Sequence, residues 1–267
     1  MDSPHKIVVF DLDETLGYFT EFGIFCDCLN YYFKNNNYSE KYFDLLLDLY
    51  PEFVRPKLIK ILDYLKLKKI NNKCKKIMIY TNNQGPKSWA MHIKNYFNTK
   101  LNYKLFDQII AAFKVKGKPV EIGRTSYDKT IDDLIRCTKI PQNVDLCFID
   151  DVYHDGMVDD KVYYIHVKAY KHSLTLSEML NTYLKSDIGN QSVPVKERMN
   201  FETIMESEFK RYNYDVIKKT EKEQEIDNIV GKMIIQHLKK FFYEQTDKTY
   251  KRKPNKKIKP KNKTVKR

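Results

Sequence analysis

No stretch of this chain approaches the roughly 18 consecutive apolar residues that a membrane span requires, so no transmembrane segment is expected. A secretory signal is not expected either, because acidic residues from position 11 stand where its apolar core would have to lie. Cysteine is sparse and odd in number. The five residues Cys26, Cys28, Cys74, Cys137 and Cys147 fall mostly in apolar stretches and form no C-x-x-C pair. That pattern speaks against a disulfide scaffold and for reduced thiols, hence an intracellular location, cytoplasmic or nuclear. Acid is lacking altogether from residues 248–267, which hold eleven of the thirteen excess positive charges. The remainder of the chain is nearly neutral. With almost no apolar content the tail is expected to be disordered. A lysine tract with prolines attracts polyanions by counterion release, so nucleic acid is its simplest partner. The same pattern serves as a nuclear import signal, and a purely solubilising tail is the plainer alternative.

What is present begins with size. A chain of 267 residues, 42% hydrophobic, can build one large α/β domain with an appendage. Its organising stretch is Val8-Val9-Phe10-Asp11-Leu12-Asp13-Glu14-Thr15-Leu16. An apolar β-branched run that ends in two carboxylates reads as a buried parallel strand delivering Asp11 and Asp13 to a sheet's carboxyl edge, where open α/β sheets bind ligands. Residues i and i+2 of a strand point the same way, so the two acids are expected to face one space. Their repulsion calls for a hard divalent cation, and Mg2+ suits one or two carboxylates completed by water and substrate phosphate. A solvated turn is the alternative for this motif taken alone.

Three later stretches repeat the theme. Residues 75–81 form a second buried strand ending in Thr81-Asn82-Asn83, where a hydroxyl and backbone amides can donate to phosphate oxygens. Thr81 could equally cap the helix expected over residues 88–93. Lys129 falls in the first turn of a periodic run through Ile131, Leu134 and Ile135, and a cation at a helix N-terminus calls for an anionic neighbour. Leu146-Cys147-Phe148-Ile149-Asp150-Asp151 is another apolar strand ending in acids.

Asp-Leu-Asp-Glu-Thr-Leu at residues 11–16 resembles the first motif of the haloacid dehalogenase superfamily, in wording closest to the phosphatases of the RNA polymerase II C-terminal domain. Thr81, Lys129 and Asp150-Asp151 resemble its second, third and fourth motifs, in the right order across residues 11–151. Lys118 is the rival for the third. Arg55-Pro56 ahead of a helix also looks like those phosphatases, whereas Asp-Asp at 150–151 stands where they usually carry Asp-Asn.

The resemblance implies a Mg2+-dependent phosphomonoester hydrolase. Asp11 would be the nucleophile that becomes an aspartyl phosphate, and Asp13 the general acid and base. Thr15, Thr81, Asn82 and Lys129 would bind the phosphoryl group, and Asp11, Asp13, Asp150 and Asp151 the metal. The expected fold is a five-stranded, doubly wound, Rossmann-like α/β sheet without a large cap. Residues 1–190 are expected to form the catalytic domain, 191–247 a helical extension and 248–267 the basic tail. Without a cap the crest admits bulky substrates, which favours phosphoserine or phosphothreonine in a protein. Nucleic-acid ends and small metabolites come next, and a catalytically silent binding module with a nucleic-acid-binding tail is the reading from another class. Oligomeric state is not legible.

The remaining segments give local expectations. Residues 17–25 read as a hairpin flap over the site, and 31–50 as helix interrupted by Asn35-Asn36-Asn37. Val54-Arg55-Pro56 is expected to introduce an amphipathic helix with proline in its first turn, with an Arg55 pair to a surface carboxylate as the plainer alternative. Phe106 to Phe113 reads as a strand, 114–124 as a loop or short hairpin, 162–167 as a fifth strand and 174–184 as a closing helix. His154 reads first as a loop histidine satisfied by backbone, and contact with substrate or metal waters is the alternative. Residues 196–244 read as one or two polar helices that either pack on the body or bind a partner.

Overall fold

The computed structural model describes residues 5–243 except 142. Five parallel strands form its central sheet: β1 (His5–Phe10), β2 (Lys76–Tyr80), β3 (Gln108–Ile110), β6 (Val144–Asp150) and β7 (Val162–His166), in the spatial order β3-β2-β1-β6-β7. Between β3 and β6 lies an antiparallel hairpin, β4 (Lys114–Val115) with β5 (Lys118–Pro119). Lys116 and Gly117 both have positive φ there, which suits the twist of a two-residue hairpin turn.

β1 is apolar on both faces because both are covered. Val8 and Phe10 join Ile77, Ile79, Cys147 and Ile149 in the larger core cluster, and Ile7 and Val9 join Met78, Tyr80, Leu146 and Phe148 in the smaller one. Alternation along the strand thus serves two layers of helix, which is the doubly wound arrangement. The smaller layer is α6 (Ile131–Thr138), through Ile131, Leu134 and Ile135. The larger holds α1 (Thr20–Tyr32), α2 (Tyr38–Lys41), α3 (Phe43–Asp48), α4 (Leu58–Ile70), α5 (Lys87–Lys100) and α7 (Leu176–Lys185).

Several local expectations are corrected. Residues 17–25 are not a hairpin flap. Gly17 makes isolated bridges to Asp13 and Val54, a side chain there would meet the Phe53 carbonyl at 2.4 Å, and α1 begins at Thr20. Phe22, Phe25, Cys26 and Leu29 share a helical face, and their burial outweighs Gly23 in the helix interior. Pro56 lies before α4 rather than in its first turn, because Lys57 is the cap, with φ +69°. Arg55 meets no surface carboxylate. It is buried and donates to the carbonyls of Glu14, Thr15 and Lys168. The strand expected from Phe106 to Phe113 is only Gln108–Ile110, with Leu105 and Phe106 buried on its approach.

The helices beyond residue 190 pack on the body. α8 (Asp187–Ser192) leads to α9 (Arg198–Lys210), which buries Phe201, Met205 and Phe209, and α10 (Glu221–Tyr243) buries Ile234, Leu238 and Phe241 in the same core cluster. Lys6 of β1 donates its ammonium to the Phe241 carbonyl of α10. Residues 248–267, read above as a disordered polyanion-binding tail, lie outside the described residues. Among the described residues no helix is long and apolar enough to cross a membrane.

Candidate phosphoryl-transfer site

β1 and β6 pair in register, Phe10 beside Ile149, so Asp11 and Asp150 leave the sheet level with each other. The Asp11 amide donates to the Ile149 carbonyl at 2.9 Å. Asp11, Asp150 and Asp151 each bring a carboxylate oxygen to within 4.8 Å of the others. Lys129 lies across this group. Its buried ammonium bonds one Asp11 oxygen and, at 2.7 Å, Asp150 Oδ2. The lysine sits just ahead of Thr130, which caps α6 through the Asp133 amide, so the helix start carries it into the centre. Lys118, the rival, is exposed on the β4–β5 hairpin.

Burial raises the pKa of Asp11, opposed by the Lys129 ammonium. It raises Asp150 to about 7 against the same opposition. Both shifts say that one ammonium does not compensate the carboxylates gathered there.

Asp13 is not one of the three grouped carboxylates but lies beside them, within electrostatic reach of Asp11, Lys129 and Asp151. The strand ends at Phe10 and the chain turns, with Glu14 at φ +55° and the Leu16 amide donating to the Leu12 carbonyl, so the alternation of β1 does not extend to Asp13. Asp13 Oδ2 instead accepts from the Asn83 side-chain amide at 2.8 Å. Burial raises its pKa to about 6, with the Asn83 bond pulling the other way. Glu14 beside it is raised to about 7, again by burial first.

Thr15 is not free for a ligand. Among the described residues its hydroxyl bonds Asp151, which it holds in place. Thr81 is better placed. Its hydroxyl oxygen accepts from the Asn83 amide at 2.9 Å, leaving its hydrogen available for an anion. It does not cap α5, which begins six residues later at Lys87. Asn82 carries a buried Oδ1 without a hydrogen-bond partner.

None of the protein-family models, curated proteins or solved structures compared with the chain matches it. Its chemistry therefore rests on the side chains themselves. Three of these were invisible or undervalued in the sequence. Asn83 was only the second of two asparagines after a threonine. His154 is more than a backbone-satisfied loop residue, since its ring is buried beside Phe148 with Nε2 3.6 Å from Asp150 Oδ2, and burial holds its pKa down near 4. Arg124, buried behind Thr81, gave no signal beyond a basic loop. A cavity of about 170 Å3 adjoins the site, lined by Thr81, Asn83, Ile109, Ala112, Val115 and Val120.

The donor set suits Mg2+. All its groups are carboxylate oxygens, and three carboxylates against one ammonium leave two negative charges for a divalent cation to balance. Asp11, Asp150 and Asp151 would hold it.

Proposed function

We propose that this protein is a Mg2+-dependent phosphomonoester hydrolase working through an aspartyl phosphate on Asp11, with phosphoserine or phosphothreonine in proteins as substrate. The observation that carries the reading is the Lys129 ammonium, buried between Asp11 and Asp150 at the carboxyl edge of a parallel sheet, with Asp151 completing a carboxylate group. A buried lysine side chain bonded to a strand-end carboxylate fits a site built to receive a transferring phosphoryl group. The order of the strand-end motifs, similar to that of the haloacid dehalogenase superfamily, agrees with it.

In this reading a carboxylate oxygen of Asp11 attacks phosphorus in line and the bond to the leaving oxygen breaks. Asp13, held by Asn83 outside the carboxylate group, gives its proton to that oxygen. It then takes a proton from the water that attacks the acyl phosphate, releasing phosphate and restoring Asp11. Thr81 and Lys129 hold the phosphoryl oxygens, and Thr15 keeps Asp151 in place. Bound Mg2+ supplies charge neutralisation at those oxygens.

The apolar cavity beside Thr81 favours a peptide, because it offers room for an aliphatic side chain next to the phosphorylated residue. The helices inserted between β1 and β2 are part of the main core and do not form a separate cap.

The test is phosphate release from an aryl phosphate with Mg2+ or with chelator, for wild type beside Asp11→Asn, followed by phosphopeptides against phosphate-terminated oligonucleotides. Metal-dependent release that the mutant loses, with preference for phosphopeptides, is expected. Near wild-type turnover by folded Asp11→Asn would overturn the mechanism. Preference for oligonucleotides would move the substrate to nucleic-acid ends. Absence of release from every substrate would leave the binding-module reading.

A further inference from the structure

We infer that Arg124 is a positioning residue of the phosphoryl site, fixing the Thr81 hydroxyl relative to the Lys129 ammonium; this rests on the roles proposed above for those two residues. Arg124 is 3% exposed and its guanidinium lies over the Tyr80 ring, 4.8 Å from the centroid. Nη1 donates to the carbonyls of Thr81 at 3.1 Å and Ala111 at 3.0 Å. Nη2 donates to the carbonyls of Tyr127 at 2.9 Å and Asp128 at 3.4 Å. One planar fork therefore ties together three separate segments. These are the end of β2 that carries Thr81, the chain just past β3, and the two residues immediately before Lys129.

The fork is itself anchored. On one side of Arg124, the Gly123 carbonyl accepts from Arg136 Nε at 3.1 Å, and a side chain at Gly123 would meet Cys137 Sγ at 2.6 Å, so the loop lies close against α6. On the other, the Thr125 amide and hydroxyl donate to buried Asp133 at 2.9 and 3.0 Å. The guanidinium thus transmits the position of α6 to the end of β2.

All four acceptors are main-chain carbonyls, so the side chain acts through geometry and not by neutralising an acid. A lysine ammonium is a single point on a flexible stem and cannot reach acceptors on three segments at once. Lys129 and Thr81 would face opposite oxygens of one phosphoryl group, and a displacement of about 1 Å between such groups costs roughly a hundredfold in rate.

The experiment compares the full chain as wild type, Arg124→Ala and Arg124→Lys. It measures aryl phosphate hydrolysis with Mg2+, repeats it with a few millimolar guanidinium or methylammonium ion, and follows unfolding by circular dichroism. In the alanine variant kcat is expected to fall about a hundredfold with KM within about threefold. Guanidinium should restore at least tenfold of that loss and methylammonium should not, while Arg124→Lys stays low although it keeps the charge. A second readout needs no turnover: orthovanadate, a stand-in for the five-coordinate phosphorus, should bind Arg124→Lys at least tenfold more weakly than wild type. The inference is overturned if folded Arg124→Lys matches wild type in kcat and in vanadate affinity. It is equally overturned if the loss in both variants simply tracks the unfolded fraction and guanidinium restores nothing. Wild type that binds vanadate without hydrolysing the ester would sink the hydrolase reading alone, and the affinity difference would still decide Arg124.

Discussion

Thr15 and Asp151 bond each other in both directions: the Thr15 hydroxyl donates to Asp151 Oδ1 at 2.9 Å and accepts from the Asp151 amide at 3.1 Å. A carboxylate fixed in this way meets a cation with its orientation already set. Thr15→Val keeps the shape and removes both bonds. Mg2+ affinity should fall by about 10- to 100-fold, as when other outer partners of metal ligands are lost. Stability should fall by about 1–3 kcal/mol because the Asp151 amide is left unpaired. Mg2+ activation curves and thermal melts check the two effects, and Thr15→Ser should restore both.

Asn83 donates its side-chain amide to Asp13 Oδ2 at 2.8 Å. Asn83→Asp preserves the acceptor for the Gly85 amide but places a second carboxylate against Asp13. Loss of an oriented acid and base costs about 10²- to 10⁴-fold. Steady-state kinetics should show that loss in kcat, with melting unchanged within a few degrees. An Asn83→Asp enzyme as fast as wild type would remove Asp13 from the proposed chemistry.

Glu21 is fully buried on α1, where its carboxylate accepts from the Leu174 amide at 3.0 Å and the Ser173 side chain also acts on it. Burial raises its pKa from 4.5 to about 7. Between those two values the native state binds more protons than the unfolded chain, so stability falls as pH rises through the window. Below about 4.5 the penalty vanishes, and above about 7 it is complete, at most about 3 kcal/mol. Glu21→Gln keeps the acceptor and removes the titration. The mutant should be the more stable protein at pH 8, and its Tm should vary less than the wild type's from pH 4.5 to pH 7.

Gly231 of α10 sits against the turn that carries Arg55. A methyl group there would lie 2.4 Å from the Pro56 carbonyl, a backbone atom that cannot rotate away. Gly231→Ala gains helix propensity but must push α10 off α4, and overpacking of this kind costs about 1–3 kcal/mol. A lowered Tm is expected, whereas a raised one would show that α10 is not seated as described.

The strand ends were legible because a run such as Val8-Val9-Phe10 or Cys147-Phe148-Ile149 has one physical solution, a strand buried on both faces, and whatever follows it must sit at the sheet's edge. Asp11, Thr81 and Asp150 could be found in that way, as could the five strands themselves. Lys129 was legible as a cation where a helix start disfavours one. Asp13 faces the same site as Asp11, near enough to feel the charges of Asp11, Lys129 and Asp151, but it does so from the turn at Glu14 and not from the strand, which ends at Phe10. The mutual bonds of Thr15 with Asp151 and the fork of Arg124 depend on how loops from distant strands meet. No local pattern encodes such meetings, so the resemblance placed Thr15 on the substrate and Arg124 read only as the end of a basic loop. The helix over residues 20–32 was obscured by glycines at 17 and 23, of which the first serves close chain approach and the second is tolerated within the helix.

The pairing of His5 with Val144 has a consequence for how the protein is made. β1 occupies the middle of the sheet, yet one of its two neighbours follows it by roughly 140 residues, which a ribosome adding about 5–20 residues per second needs about seven to thirty seconds to supply. Throughout that interval one edge of an apolar strand, together with the carboxylate at its end, has no mate. The nascent chain must be shielded or held in a provisional pairing until β6 emerges. The centre that is most deeply protected in the finished molecule is thus the one most exposed during its synthesis.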